Sequence, residues 1–306
     1  MTDLKNIVFL TLLIFSIPLI AYNQDNSIYS LKVLGVVQDG GLPHLGSDRI
    51  CCEDDDQKRY VTSIMLINNE TNESYLFDAS PDINEQLNFM GKGIKKNLKG
   101  IFLTHAHIGH YTGLMYFGRE ALNSKLMNVY AMPRMKKFLE QNGPWSQLVS
   151  LENISITELN NKSNIIIDSN VTIQPIEVPH RAEFSETVGY KIYGPNKTAL
   201  FIPDIDKWYL WEKSIADEIE KVDYALIDAT FYDSKEVNYR DLSEIPHPFV
   251  VESMELFDLM KYEERNKIYF IHLNHTNPLL DKESDQYKLV KEKGYNVAEE
   301  GLNLKL

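Results

Sequence analysis

Thr104-His105-Ala106-His107-Ile108-Gly109-His110 places three imidazoles within six residues, directly after the apolar run Ile101-Phe102-Leu103. Neutral imidazole is the commonest protein metal ligand, and packing has no use for three of them at this spacing. His105 and His107, in extended backbone just past a strand, lie two residues apart and converge on one point. His110 falls where a helix can begin. A polar surface turn would explain the polarity of the stretch but not the repetition.

Three donors from one loop make an incomplete metal site, so further ligands are expected at other strand ends. Apolar, strand-like runs at 171–178, 199–202 and 268–271 lead into Pro179-His180-Arg181, Pro203-Asp204 and His272, with His275 three residues on. His180 could instead be a surface histidine. Asp204 could be a turn or N-cap residue before a helix near Lys207.

Other strand-like segments cover 29–36, 61–67, 75–77, 100–103, 129–131, 188–193 and 224–227. Helical patterns interrupt them. Pro81-Asp82 opens one that runs to Met90, and Pro133 opens another that runs to Glu140. The amphipathic stretch 207–221 predicts a helix, as does 248–261 with Phe249, Met254, Leu256 and Met260. This order fits an α+β, αββα sandwich: two mixed β-sheets packed face to face with helices on the outside.

The 306 residues, 43% hydrophobic and 25% charged, have the composition of a globular protein. A net charge of −13 repels phosphate backbones, which argues against a nucleic-acid partner and leaves a small-molecule substrate as the expectation. Residues 1–22 read as a signal peptide. The run from Ile7 to Ala21 is apolar, follows Lys5 and contains Pro18, and it is shorter than the roughly 20 residues of a spanning helix. Residues 23–306 are then expected to form one exported domain, periplasmic or extracellular, touching a membrane only through an uncleaved N-terminal segment. Adjacent Cys51 and Cys52 are too close in sequence for an unstrained disulfide; they would be free thiols or, with His44, ligands of a small structural metal site.

The residues also carry a family resemblance. Leu76-Phe77-Asp78, the His105/His107/His110 cluster, His180, Asp204 and the histidine of Phe270-Ile271-His272-Leu273 resemble the landmarks of metallo-β-lactamase-fold hydrolases, in the same order. Within them the chain is most similar to coenzyme PQQ biosynthesis protein B. The shared stretches include Gly40-Gly41-Leu42-Pro43, Asp78-Ala79-Ser80-Pro81-Asp82, His110-Tyr111-Thr112-Gly113-Leu114, Asp228-Ala229-Thr230-Phe231, His247-Pro248 and the run from His272 to Leu280.

The resemblance implies a first metal held by His105, His107 and His180. Asp204 would bridge to a second metal, assisted by His110 and His272. His272 is preferred to His275 because it ends its strand and matches the superfamily position. Zinc suits these donors, and iron or manganese would also bind them. Asp204 would orient the nucleophile, His275 would face the leaving group as a proton donor or simply cap the turn before Pro278, and Asp228 would serve as an acid/base or supporting carboxylate. Asp78 would fix the histidine loop, and His247 would either line the pocket or be a plain loop histidine. Trp145, Phe184, Phe231, Tyr232 and Tyr239 would either stack on substrate or pack the core.

Two departures stand out. Gly109 occupies the place where the superfamily has aspartate, so the second metal position is expected to lose an oxygen donor. Only Cys51 and Cys52 stand near where the PQQ-associated proteins carry a cysteine-rich zinc knuckle. The expected activity is metal-dependent hydrolysis of a small ester, lactone or phosphodiester. An iron-dependent oxidative enzyme, with open positions left by Gly109, and a non-catalytic metal-retaining protein are the alternatives.

Overall fold

The computed structural model describes residues 27–48, 58–161, 164–181, 183–237, 241 and 245–306. The expected signal segment, Cys51, Cys52 and Tyr239 lie outside the described residues. No helix among the described residues is long and apolar enough to cross a membrane.

The first sheet contains β1 (Tyr29–Gly35), β2 (Ser63–Asn68), β3 (Ser74–Phe77), β4 (Leu98–Phe102), β5 (Met127–Ala131) and β6 (Ile154–Glu158). The second contains β7 (Ile165–Ile166), β8 (Thr172–Glu177), β9 (Val188–Tyr193), β10 (Thr198–Ile202), β11 (Tyr224–Asp228), β12 (Ile268–Ile271) and β13 (Asn296–Val297). The C-terminal strand β14 (Asn303–Lys305) returns to pair antiparallel with β1. Strand order is β14-β1-β2-β3-β4-β5-β6 in one sheet and β13-β12-β11-β10-β9-β8-β7 in the other. Each sheet is antiparallel at one side and parallel at the other, as expected of mixed sheets.

Period-two alternation sorts each strand between two cores. Leu31, Val33, Ile64, Leu66, Phe77 and Phe102 of the first sheet meet Ile173, Tyr190, Ile192, Phe201 and Leu226 of the second. The alternate residues Met65, Ile67, Leu76, Ile101 and Val129 face outward, toward α1 (Ile83–Phe89), α4 (Pro133–Gln141) and α5 (Trp145–Ser150). Two further short helices, α2 (Gly91–Lys96) and α3 (Ile108–Tyr111), precede α4. Leu200, Ile202, Ala225, Ile227, Ile268 and Phe270 pack outward against α6 (Ile215–Glu220), α7 (Val250–Phe257) and α9 (Asp285–Glu292), the short α8 (Tyr262–Arg265) lying between the last two. The result is the αββα sandwich read from the sequence.

One expected helix differs. The stretch 207–221 begins as a 3-10 turn at Trp208–Leu210, and α6 starts only after Ser214, whose hydroxyl accepts from the Asp217 amide. Two buried indoles tether the earlier part: Trp208 donates to Ser253 and Trp211 to the Glu177 carbonyl, both at 2.9 Å. Those anchors override the local helical pattern. In helix α5, Trp145 packs against Tyr111 and Phe138.

Between the sheets, Phe102 stacks on Phe77 at 5.1 Å and meets Tyr190 edge-on at 5.6 Å. The Tyr190 hydroxyl donates to the Leu103 carbonyl, one residue before the histidine loop, so the aromatic core also positions that loop. Phe102→Ala is expected to cost about 3–5 kcal/mol of stability, measured by urea unfolding. A loss under about 1 kcal/mol would mean the sheets are not locked together at this point.

Candidate metal centre

The strands that precede the polar residues run in one direction within each sheet, so their carboxyl ends share an edge. At that edge β1 leads to Asp39, β3 to Asp78, β4 to the histidine loop, β8 to His180, β10 to Asp204, β11 to Asp228 and β12 to His272. Ligands characteristically bind outside the carboxyl ends of parallel strands.

The histidine loop is held from both sheets. The Val188 amide donates to the Thr104 carbonyl at 3.1 Å, and the Ala106 amide to the Ser185 hydroxyl at 2.8 Å. Asp78 accepts from the Thr104 amide and hydroxyl at 2.8 and 2.9 Å, and lies 2.7 Å from His110 Nδ1. Asp78 and His272 both adopt φ of 65°, a strained conformation for residues other than glycine that turns each side chain into the site.

Among the described residues two histidine-rich groups of candidate ligand atoms result, beside a third made of Asp204, Asp228 and His247. In the first, His105 Nε2 lies 2.8 Å from His107 Nδ1, and His180 Nε2 lies 3.4 Å from His107 Nδ1. Asp204 approaches His105 Nε2 and His180 Nε2 at 3.3 Å each. In the second group, Asp39 Oδ1 stands 3.2 Å from His110 Nε2 and 3.8 Å from His272 Nε2. Asp204 Oδ2 stands between the groups, 3.8 Å from His107 Nδ1 and 3.9 Å from His110 Nε2.

These separations suit a divalent ion. Four donors at 2.0–2.1 Å from a tetrahedral zinc lie roughly 3.3 Å from one another. Asp39 Oδ1, His110 Nε2, Asp204 Oδ1 and His272 Nε2 are buried yet make no aligned hydrogen bond. An unpaired buried polar atom costs about 1–3 kcal/mol, so four in one place call for a shared partner.

The far nitrogen of each ring is held as well. His105 Nδ1 meets Thr104 at 3.0 Å, His180 Nδ1 meets Asp206 at 2.9 Å, and His272 Nδ1 meets Thr230 at 3.0 Å. His107 Nε2 reaches Glu183 at 3.4 Å. Such contacts fix tautomer and ring orientation around a metal.

The remaining candidates sort differently. Asp228 is consumed by hydrogen bonds from the Ile205 amide, the Thr230 amide and hydroxyl, and His247 Nδ1. Through this last contact it supports His247, the supporting position that the sequence reading offered beside an acid/base one. His247 Nδ1 also lies 3.1 Å from Asp204 Oδ1. His275 joins neither ligand group and stacks on His44 at 4.1 Å.

A polar cavity of about 330 Å³ opens onto these groups, lined by Asp39, His107, His180, Asp204, His247 and His275 among others. Arg181 and Phe231 also border it. Tyr232 is instead buried in the core outside the second sheet, and Phe184 stacks on Phe138.

Asp39 is the member of these groups that the sequence reading did not include. In Asp39-Gly40-Gly41 the glycines mark a turn, and only the position of Asp39 after a strand, shared with the other donors, could have singled it out. Its carboxylate stands beside His110 and His272, on the side where Gly109 offers no oxygen donor.

Residues 73–273 match the family model described as beta-lactamase superfamily domain. Coenzyme PQQ synthesis protein B of Methylococcus capsulatus is 25% identical over 321 residues, covering 90% of this chain and 99% of that protein. Zinc-bound PqqB of Methylobacterium extorquens superposes with a TM-score of 0.74 at 20% identity, over 90% of this chain and 100% of that one. A diphosphatase of the PhnP family gives 0.63 at 20% identity, over 90% and 96%. At these identities the solved structures carry a likeness of fold.

Burial opposes charging His180, but Asp204 and Asp206 outweigh it and raise its pKa from 6.5 to about 9. A protonated ring cannot ligate, so protons and metal compete. In the metal-stripped protein the stability that His180 gains from these carboxylates is full below about pH 6.5 and lost as pH rises through about 9. Zinc affinity should move the opposite way, rising about tenfold per pH unit over that window and levelling above it. Calorimetry in buffers of different ionisation enthalpy measures the released protons. Uptake without proton release would contradict this assignment.

Proposed function

We propose that this chain, which belongs to the beta-lactamase superfamily, is a metal-dependent hydrolase of a small phosphodiester or related ester or lactone. The observation that carries this reading is the convergence of unpaired buried donor atoms beside a polar cavity. A divalent ion bound there lowers the pKa of water from 15.7 toward roughly 7 and polarises a substrate oxygen.

The protein's own residues supply the rest. His105, His107 and His180 would hold one ion, His110 and His272 a second, with Asp204 between them. Asp204, buried and kept ionised, also accepts a hydrogen bond that orients an attacking water. Burial would raise its pKa, but the imidazoles of His180 and His247 outweigh burial and hold it well below the usual carboxylate range.

His247 is placed to donate the proton that a leaving group takes up. Burial disfavours its charge, yet Asp228 and Asp204 more than compensate, so its pKa lies well above 6.5. Asp228 fixes the ring through Nδ1. His275, to which the sequence reading gave this donor role, lines the same cavity and serves as a binding contact with Arg181.

The cavity is near the lower end of the 300–1,000 Å³ typical of ligand sites, which favours a small substrate. Its imidazoles and Arg181 favour a negatively charged one. The likeness to a diphosphatase supports phosphate chemistry, although that activity is the other protein's. The oxidative alternative drew on an open position left by Gly109, and Asp39 stands there instead. A small-molecule substrate and an exported location complete the proposal.

His105→Ala and His180→Ala are each expected to lose bound metal and to lower kcat/KM for bis(p-nitrophenyl) phosphate by at least about 100-fold. His247→Ala should retain metal and lower kcat by about 100- to 10,000-fold, flattening the alkaline limb of the pH profile. Fully metal-loaded protein that hydrolyses neither phosphodiesters, esters nor lactones would sink the proposal.

A further inference from the structure

We propose that Asp39 is a relocated metal ligand, supplying from the loop after β1 the carboxylate that Gly109 cannot supply from the histidine loop, so that the chain holds two divalent ions. This rests on the reading of the cluster as a metal centre, but not on hydrolysis.

The geometry makes the two positions mutually exclusive. A Cβ built on Gly109 would lie 2.2 Å from Asp39 Oδ1, 2.9 Å from its Cγ and 2.8 Å from its Cα. Asp39 therefore fills the space that a side chain at 109 would enter. Its Oδ1 is buried without an aligned hydrogen bond and faces His110 Nε2 and His272 Nε2, which are equally unpaired.

The backbone delivers this carboxylate alongside His272. The Leu273 amide donates to the Val36 carbonyl at 2.8 Å, and the Gln38 amide to the Leu273 carbonyl at 2.9 Å. Asp39 and His272 thus come from two segments zipped together at the end of β12. Gly41, at φ of +69°, then turns the chain away, its amide donating to the Gln38 carbonyl at 2.9 Å. A side-chain oxygen held in this way is a hard donor suited to zinc, manganese or iron.

The competing explanation is a plain ion pair between Asp39 and His110 that takes no part in metal binding. Stoichiometry separates the two. The metal-stripped full chain is titrated with Zn2+ by calorimetry, and retained zinc is counted by elemental analysis after desalting. Wild type is expected to take two ions. Asp39→Asn, which preserves volume, should keep the first ion and bind the second at least about 100-fold more weakly.

The exchange Asp39→Gly with Gly109→Asp should restore the second ion that Asp39→Gly alone loses. Wild type taking one ion, or Asp39→Asn binding two with unchanged affinity, would overturn the proposal. So would an exchanged variant that folds, by circular dichroism and melting, yet binds no more zinc than Asp39→Gly. Two ions in this pattern on a protein without hydrolytic activity would support it while counting against hydrolysis.

Discussion

Negative charge gathered at one edge of the sandwich is the constraint around which the molecule is arranged. Asp78, Asp204 and Asp228 are buried there, and Asp39 partly so. Carboxylates brought that close repel one another and forfeit hydration, a combination tolerated only when cations are interleaved with them. The imidazoles of His105, His107, His110, His180, His247 and His272 surround them at 2.7–3.9 Å. Protons can balance part of that charge, and divalent ions can balance it while also satisfying atoms that hydrogen bonds leave unmet.

The two sheets divide the task of holding this charge. The first contributes Asp39, Asp78 and the histidine loop, and the second contributes His180, Asp204, Asp228 and His272. Neither half has a complete ligand set. Packing Phe77 and Phe102 against Tyr190 and Phe201 is therefore what assembles the centre as well as what stabilises the fold. The Tyr190–Leu103 hydrogen bond joins the two roles in one residue.

Much of this was legible in the chain because apolar runs ending in a histidine or aspartate mark strand ends on a shared edge. His105, His107, His180 and Asp204 carry that pattern, and the structure places their ligand atoms together. What escaped had weaker local signals. β6, β7, β13 and β14 are short or lie at or near sheet edges, where polar residues dilute the alternation, and α9 is polar over most of its surface. The stretch 207–221 has a helical pattern that tertiary anchors on Trp208 and Trp211 break. Asp39 escaped for a different reason: its neighbours Gly40 and Gly41 announce a turn, and nothing local says that the turn packs beside Gly109. A ligand exchanged between distant segments leaves no spacing to read.

Among the rings of the metal centre, His107 differs in its surroundings. Its side chain is 13% exposed, whereas His105, His110, His180 and His272 are at 1% or less. Its outer nitrogen leans on Glu183, which is itself 52% exposed. The other imidazoles are clamped by buried or well-shielded partners, so a ring that swings aside at modest cost is His107. An ion held at this centre would therefore be reached most easily from the side of His107, the least shielded of its imidazoles.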